Sequence, residues 1–178
     1  MRDAVTGRNS SPKVGVGAPS RAELLELVEA SANVADHGSL RPWRLIELRG
    51  EARERLGNAL AEAAGKSGRD AEKLAAKPLR SDLLVAIVAC RKPSHKVHEW
   101  EQDAAAAGVA HTLSLLLTEA GWGVMWRTGP HTRSAPVREM HHLEANEELL
   151  GWLYVGTRLE ASVDRKQRID PEAFLTQL

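Results

Sequence analysis

Eight consecutive apolar residues, Leu83 to Cys90, form the longest uninterrupted hydrophobic run in the chain. A membrane helix needs roughly 20 such residues, so this run does not span a bilayer. It is short and partly β-branched, which predicts a strand over Leu83–Ala89 covered on both faces. Helical and strand signals alternate around it, too irregularly for a plain doubly wound sheet. The two observations together predict a three-layer α+β fold. With 178 residues, the chain is long enough for one domain with one sizeable core. Residues 1–178 therefore read as a single domain, with 1–19 as an amino-terminal arm and 157–178 as a polar carboxy-terminal tail.

The helices announce themselves through their ends and their apolar spacing. Ser20-x-x-Glu23 is a capping box, followed by Leu24, Leu27, Val28 and Ser31 along one stripe. Asp36 to Ser39 breaks that helix, and Pro42 prevents one from running through into the strand at Trp43–Leu48. Glu51–Ala64 is amphipathic, with Leu56, Leu60 and Ala63 on one side. A short helix in 65–82 ends before Pro78. The longest helix spans Glu99–Ala120, and Gly121 suits its C-cap. Its Val109, Leu113, Leu116 and Leu117 cover more than one face, which predicts burial all round. Val124–Arg127 and Leu150–Val155 are further strands, and Ser134-Ala135-Pro136 starts a short helix.

Composition narrows the function classes. Twenty-four basic and 24 acidic residues cancel, so no global field draws the chain to nucleic acid or to an anionic membrane. The first 20 residues lack the apolar core of a secretory signal, and the reading is a cytoplasmic protein. A single cysteine, Cys90, excludes an internal disulfide framework. It ends an apolar strand, where a thiol is a small inert hydrophobe. His95, His98, Glu99, Glu101 and Asp103 crowd nine positions, but no HExxH or cysteine pair supports a metal site, and they read as a solvated helix start. His141-His142 reads as a polar helix end. There is no Gly-x-Ser-x-Gly elbow, and Gly15-Val-Gly17 lacks the remaining glycine of a dinucleotide fingerprint. No catalytic side chain and no metal ligand is assigned. Arg8-Asn9-Ser10-Ser11 offers a guanidinium, an amide and two hydroxyls, a grip for a phosphate or a polyol chain that is weak taken alone. Five of the seven aromatic residues are tryptophans, suited to core packing or to walling a flat ligand.

These scattered signals coincide with one family pattern. Arg8-Asn9-Ser10, Asp36-His37 through Pro42-Trp43, Lys96-Val97-His98-Glu99-Trp100-Glu101-Gln102, Gly121-Trp122-Gly123 through Trp126-Arg127-Thr128-Gly129, and Leu153-Tyr154-Val155-Gly156 occur in that order. In this series the sequence resembles the FMN-dependent nitroreductase family, most closely its small bacterial members. The resemblance implies a homodimer with one FMN in each of two sites at the subunit interface, and a long central helix packed at that interface. Arg8, Asn9 and Ser10 would hold the phosphate and ribityl chain. Asn33 and His37 would reach the flavin, and Arg127, Thr128 and Gly129 would close on it. The NAD(P)H contact would fall near Leu117–Trp122. The implied activity is electron transfer from NAD(P)H through FMN to a nitroaromatic, quinone or similar small acceptor. A flavin-sequestering protein with little turnover is the alternative. Two positions depart from the pattern: Asn9 replaces an arginine, and Ala35 replaces a proline.

Overall fold

The structure, a computed structural model, describes residues 2–159 and 169–178. Its elements are α1 (Arg2–Gly7), α2 (Arg21–Ser31), β1 (Trp43–Leu48), α3 (Glu51–Ala63), α4 (Gly68–Ala75), β2 (Leu83–Cys90), α5 (Glu99–Glu119), β3 (Trp122–Arg127), α6 (Ala135–Met140) and β4 (Glu147–Thr157). The strands form one antiparallel sheet in the order β1-β2-β4-β3. Helices cover both faces, giving the three-layer α+β architecture that the apolar run predicts.

Alternation along β2 divides the core. Leu83, Val85 and Ile87 point to one face and pack with Leu24 of α2 and with Leu113 and Leu117 of α5. Leu84, Ala86 and Val88 point to the other and pack with Leu56 and Leu60 of α3 and Val137 of α6. Every side chain from Leu83 to Ala89 is at most 1% exposed, so the strand needs no polar face at all.

Strand β4 keeps its alternation only through a bulge. The register with β2 shifts between Ile87, opposite Gly151, and Val88, opposite Leu149. Leu149 and Trp152 thereby share one face although three residues apart. Gly151 has φ +130°, and a Cβ there would lie 2.4 Å from the Arg127 carbonyl oxygen. Only glycine meets both conditions.

Four expectations change. The amino-terminal arm is not irregular throughout, because Arg2–Gly7 is helical. The capping box of α2 is half formed: Ser20 Oγ accepts the Glu23 N–H, but the Glu23 carboxylate turns to the Trp122 indole N–H at 2.8 Å. The strand expected at Val124–Arg127 begins at Trp122, and that expected at Leu150–Val155 runs from Glu147 to Thr157. Pairing between neighbours extends both beyond their apolar centres. Finally, α5 is not buried all round within one chain. Val109, Leu113 and Leu117 lie in the chain's own core, Leu116 is half-buried, and Ala104 and His111 are exposed. Of the tail, Thr157 belongs to β4 and Pro171–Ala173 forms one turn.

Candidate functional site

Strand β3 lies at the sheet edge and packs against α5 on one face. On its other face two adjoining cavities, of about 420 and 810 Å3, share Arg80, Met125, Arg127 and Tyr154. They form one groove of the size that holds small ligands. Trp152, His131, Thr128 and Gly129 line one end, and Ser11, Pro12, Lys13 and Val14 line the other.

The segment 11–15 reaches the groove because its backbone is pinned to the sheet. The Ser11 N–H donates to the Val124 carbonyl at 2.8 Å, and the Gly15 N–H donates to the Thr157 carbonyl at 2.8 Å. Arg127 ends β3 on the groove face. Its guanidinium donates to the Pro12 carbonyl at 3.1 Å and lies 5.2 Å from the Tyr154 ring centroid. Lys77 and Arg80 arrive from the turn at Pro78–Arg80, whose proline is buried under α3 and holds the turn in place.

Charge is the distinguishing property. Lys13, Lys77, Arg80 and Arg127 line the groove, and among the described residues no aspartate or glutamate does. None of the four bonds a carboxylate among the described residues, whereas Arg44, Arg49, Arg53, Arg91, Arg133 and Arg138 each do. Converging cations without counter-charges make a site for an anion. Burial pushes the Tyr154 hydroxyl above its ordinary range, so it stays protonated beside those cations.

Behind the groove wall the Trp152 indole N–H donates to His141 Nε2 at 3.0 Å, and His141 Nδ1–H donates to the Val137 carbonyl at 2.7 Å. Both imidazole nitrogens are used, which fixes the neutral ring. Burial is the main cause of its lowered pKa, and the charges of Arg44 and His142 act in the same sense. His141 is thus a structural support for Trp152 rather than a polar helix end.

The sequence-derived candidates fall in three places. Arg127, Thr128 and Gly129 lie in the groove. Arg8, Asn9 and Ser10 lie across the edge of β3, around a small space of about 60 Å3 bounded by His111, Ser114 and Thr118 of α5 and by Trp126. Trp126 borders both spaces. Asn33 caps the end of α2 by donating to the Glu29 and Ala30 carbonyls. His37 Nδ1 lies 2.8 Å from Glu101 Oε2, and Glu101 Oε1 accepts the His98 N–H at 3.0 Å. These hydrogen bonds hold the Glu101 carboxyl below its ordinary range, the one to His37 most. The carboxylate fixes Nδ1 as the donor, leaving Nε2 of the exposed imidazole open. At about 1.5 Å per residue, Glu101 is about 15–25 Å along α5 from the stretch beside Arg8–Ser10. One chain does not bring His37 to Arg8–Ser10.

The stretch Leu117–Trp122 is only partly accessible: Leu117 is fully buried, and the Trp122 indole is tied to Glu23. Around the remaining acidic cluster, Asp103 and Glu99 pair with Arg91, and no group of three or more metal-ligating side chains converges among the described residues. Cys90 Sγ donates to Glu147 Oε1 at 3.2 Å, while Arg44 grips the same carboxylate at 2.6 and 2.7 Å. Burial and the neighbouring carboxylate push the thiol up to about 12, and the Arg44 contact holds Glu147 down at about 2. Residues missed in the sequence are Lys77 and Arg80, while Met125 and Tyr154 fall within the quoted motifs without a site role assigned to them. Only the proline-fixed turn with its flanking bases is a local signal, and nothing in it indicates β3.

A sequence model of the nitroreductase family matches residues 17–157. A protein of Escherichia coli (strain K12) named "Putative NAD(P)H nitroreductase YdjA" is 31% identical over 178 residues, 98% of this chain and 97% of that protein. The nitroreductase-like family protein from Bacillus cereus superposes with a TM-score of 0.87 at 19% identity, over 99% of this chain and 95% of that one. The FMN and NADPH-dependent nitroreductase NfnB of sphigopyxis sp. strain HMH superposes with a TM-score of 0.79 at 16% identity, over 99% and 98%. No helix among the described residues is long and apolar enough to cross a membrane. With the family model covering most of the chain and the relative matching it nearly end to end, this protein belongs to the nitroreductase family.

Proposed function

We propose that the chain is an NAD(P)H-dependent flavin oxidoreductase that holds FMN in the groove beside β3 and passes electrons to a nitroaromatic, quinone or similar acceptor. The observation that carries this reading is the set of four cations, Lys13, Lys77, Arg80 and Arg127, in a groove that no carboxylate of the described residues lines. FMN fits that chemistry as a flat, largely aromatic body with a dianionic end. Its phosphate would meet the amino-terminal segment from Arg8 to Lys13. Its ring would meet Arg127, Thr128, Gly129 and Tyr154. Bound FMN supplies the two-electron redox chemistry.

The side chains do the rest. Arg127, already oriented by Pro12 and Tyr154, offsets negative charge at the ring without reorganising. Trp152, fixed by His141, keeps the wall rigid. No residue is assigned as general acid or base.

Homodimerisation belongs to the same proposal, on altered grounds. The apolar residues of α5 are largely used within the chain, so they no longer argue for a partner. What supports a partner is the separation of His37 from Arg8–Ser10 along α5. A second copy packed with α5 antiparallel would carry its His37 toward the Arg8–Ser10 stretch of this chain. The test is an absorbance spectrum of the purified protein, anaerobic NADPH addition, an acceptor screen and light scattering. Bound flavin that bleaches and is reoxidised by acceptor, in a particle of twice 19.4 kDa, is the expected result. A flavin-free protein, or one whose flavin NAD(P)H does not reduce, refutes it.

A further inference from the structure

The groove does not stop at the residues assigned to FMN. Beyond Lys77 and Arg80 it opens into a further cleft of about 570 Å3, which shares Leu74, Lys77 and Arg80 with it and adds Lys66, Lys73 and Asp70. Leu74 and Ala76 give the lining its apolar part, and among the described residues it carries four cations against one carboxylate. That carboxylate does little to cancel the charge: Asp70 lies 3.7 Å from Lys73 with both side chains about two-thirds exposed. Lys66, Lys77 and Arg80 bond no carboxylate among the described residues. The order of the chain explains the placement. Lys66 precedes α4, Lys73 lies in its last turn and Lys77 follows it, so one short helix presents all three toward the same opening.

We infer that this cleft beside α4 binds the adenosine-side phosphate of the reducing dinucleotide and makes the enzyme selective for NADPH over NADH. This rests on the reading above, in which the groove holds FMN and a nicotinamide reduces it. A dinucleotide whose nicotinamide reaches the groove must extend outward, and the cleft is the cationic continuation of that path. NADH and NADPH differ only by the 2′-phosphate, a dianion for which a cluster of lysines is suited as point charges. The end of α5, around Leu117–Trp122, offers no comparable cation cluster: its only ionisable side chain is Glu119.

The test uses Lys66→Glu/Lys73→Glu, two exposed positions outside the FMN groove. In the parent, adenosine 2′,5′-bisphosphate should bind at least about tenfold more tightly than adenosine 5′-monophosphate by calorimetry, and kcat/KM for NADPH should exceed that for NADH. In the variant the preference for the bisphosphate should vanish and the KM for NADPH should rise about tenfold or more. FMN affinity and the KM for NADH should stay within about twofold. A parent that binds the two nucleotides equally overturns the inference, as does a variant in which NADPH and NADH change together or neither changes. Failure of the underlying reading looks different: FMN is absent or is not reduced by either dinucleotide.

Discussion

The two faces of the sheet are built from the same strands and end differently. On the α2/α5 face, Leu83, Val85, Ile87, Leu153 and Val155 lie under helices that also reach Val124 at the edge strand. On the α3/α6 face the helices cover Leu84, Ala86 and Val88, but Met125, Arg127 and Tyr154 line an open groove. The sealed face needs only apolar side chains of matching volume. The open face must solvate or neutralise what it exposes, and there the chain places cations that pair with no carboxylate among the described residues. The proposed flavin site lies where the helical cover stops.

The largest effect expected from disturbing this contrast comes at the bulge joining the two faces. Gly151→Val forces a side chain against the Arg127 carbonyl and the Trp126 indole and imposes a positive φ on a β-branched residue. We expect a loss of about 3 kcal/mol or more, read by denaturant unfolding, with flavin lost at the same time. A variant as stable as the parent would mean that the bulge is dispensable.

Removing charge from the open face should separate binding from folding. Arg127→Ala combined with Arg80→Ala should weaken FMN about 10- to 100-fold, each charged contact contributing roughly 1.5–3 kcal/mol before losses to solvent. The melting temperature without flavin should barely move, because neither residue has a carboxylate partner to orphan among the described residues. An unchanged dissociation constant would move the flavin out of the groove.

Acid should loosen the groove wall before it unfolds the molecule. His141 has a lowered pKa in the fold, so the unfolded chain takes up a proton that the folded chain refuses as pH falls below about 6.5. Stability is then flat above that pH and declines below it. Glu147 works lower: its carboxyl is held at about 2, and its contribution is lost between the ordinary carboxylate range and that value. Melting temperatures from pH 8 to pH 4 check the first slope, which His141→Phe should remove. A parent with no slope in that window would contradict the neutral buried imidazole.

The smallest effect concerns the departure at position 9. Asn9 lies across the edge of β3 from the groove, beside His111 and Ser114. An arginine there should add a charged contact to the phosphate and tighten FMN about five- to tenfold. Riboflavin, which has no phosphate, should be unaffected. Equal FMN affinity in parent and Asn9→Arg would place the phosphate wholly within the groove.

What the sequence determined by itself is local: Leu83–Ala89 as a doubly covered strand, Ser20 as a cap, Glu99–Ala120 as one helix, and Cys90 as an inert thiol. Periodicity, capping chemistry and composition act over a few residues, so they can be read without knowing the fold. The tertiary structure decided which of these pieces meet. Lys77 and Arg80 join Arg127 and Lys13 only because β3 pairs with β4 at the sheet edge, while the Pro78 turn packs under α3. His141 supports Trp152 only because the end of α6 lies over β4, and Glu23 leaves its own helix cap for an indole 99 residues away. Such pairings depend on strand order and on which helices cover which face, and those are set by burial of the whole core rather than by any one segment.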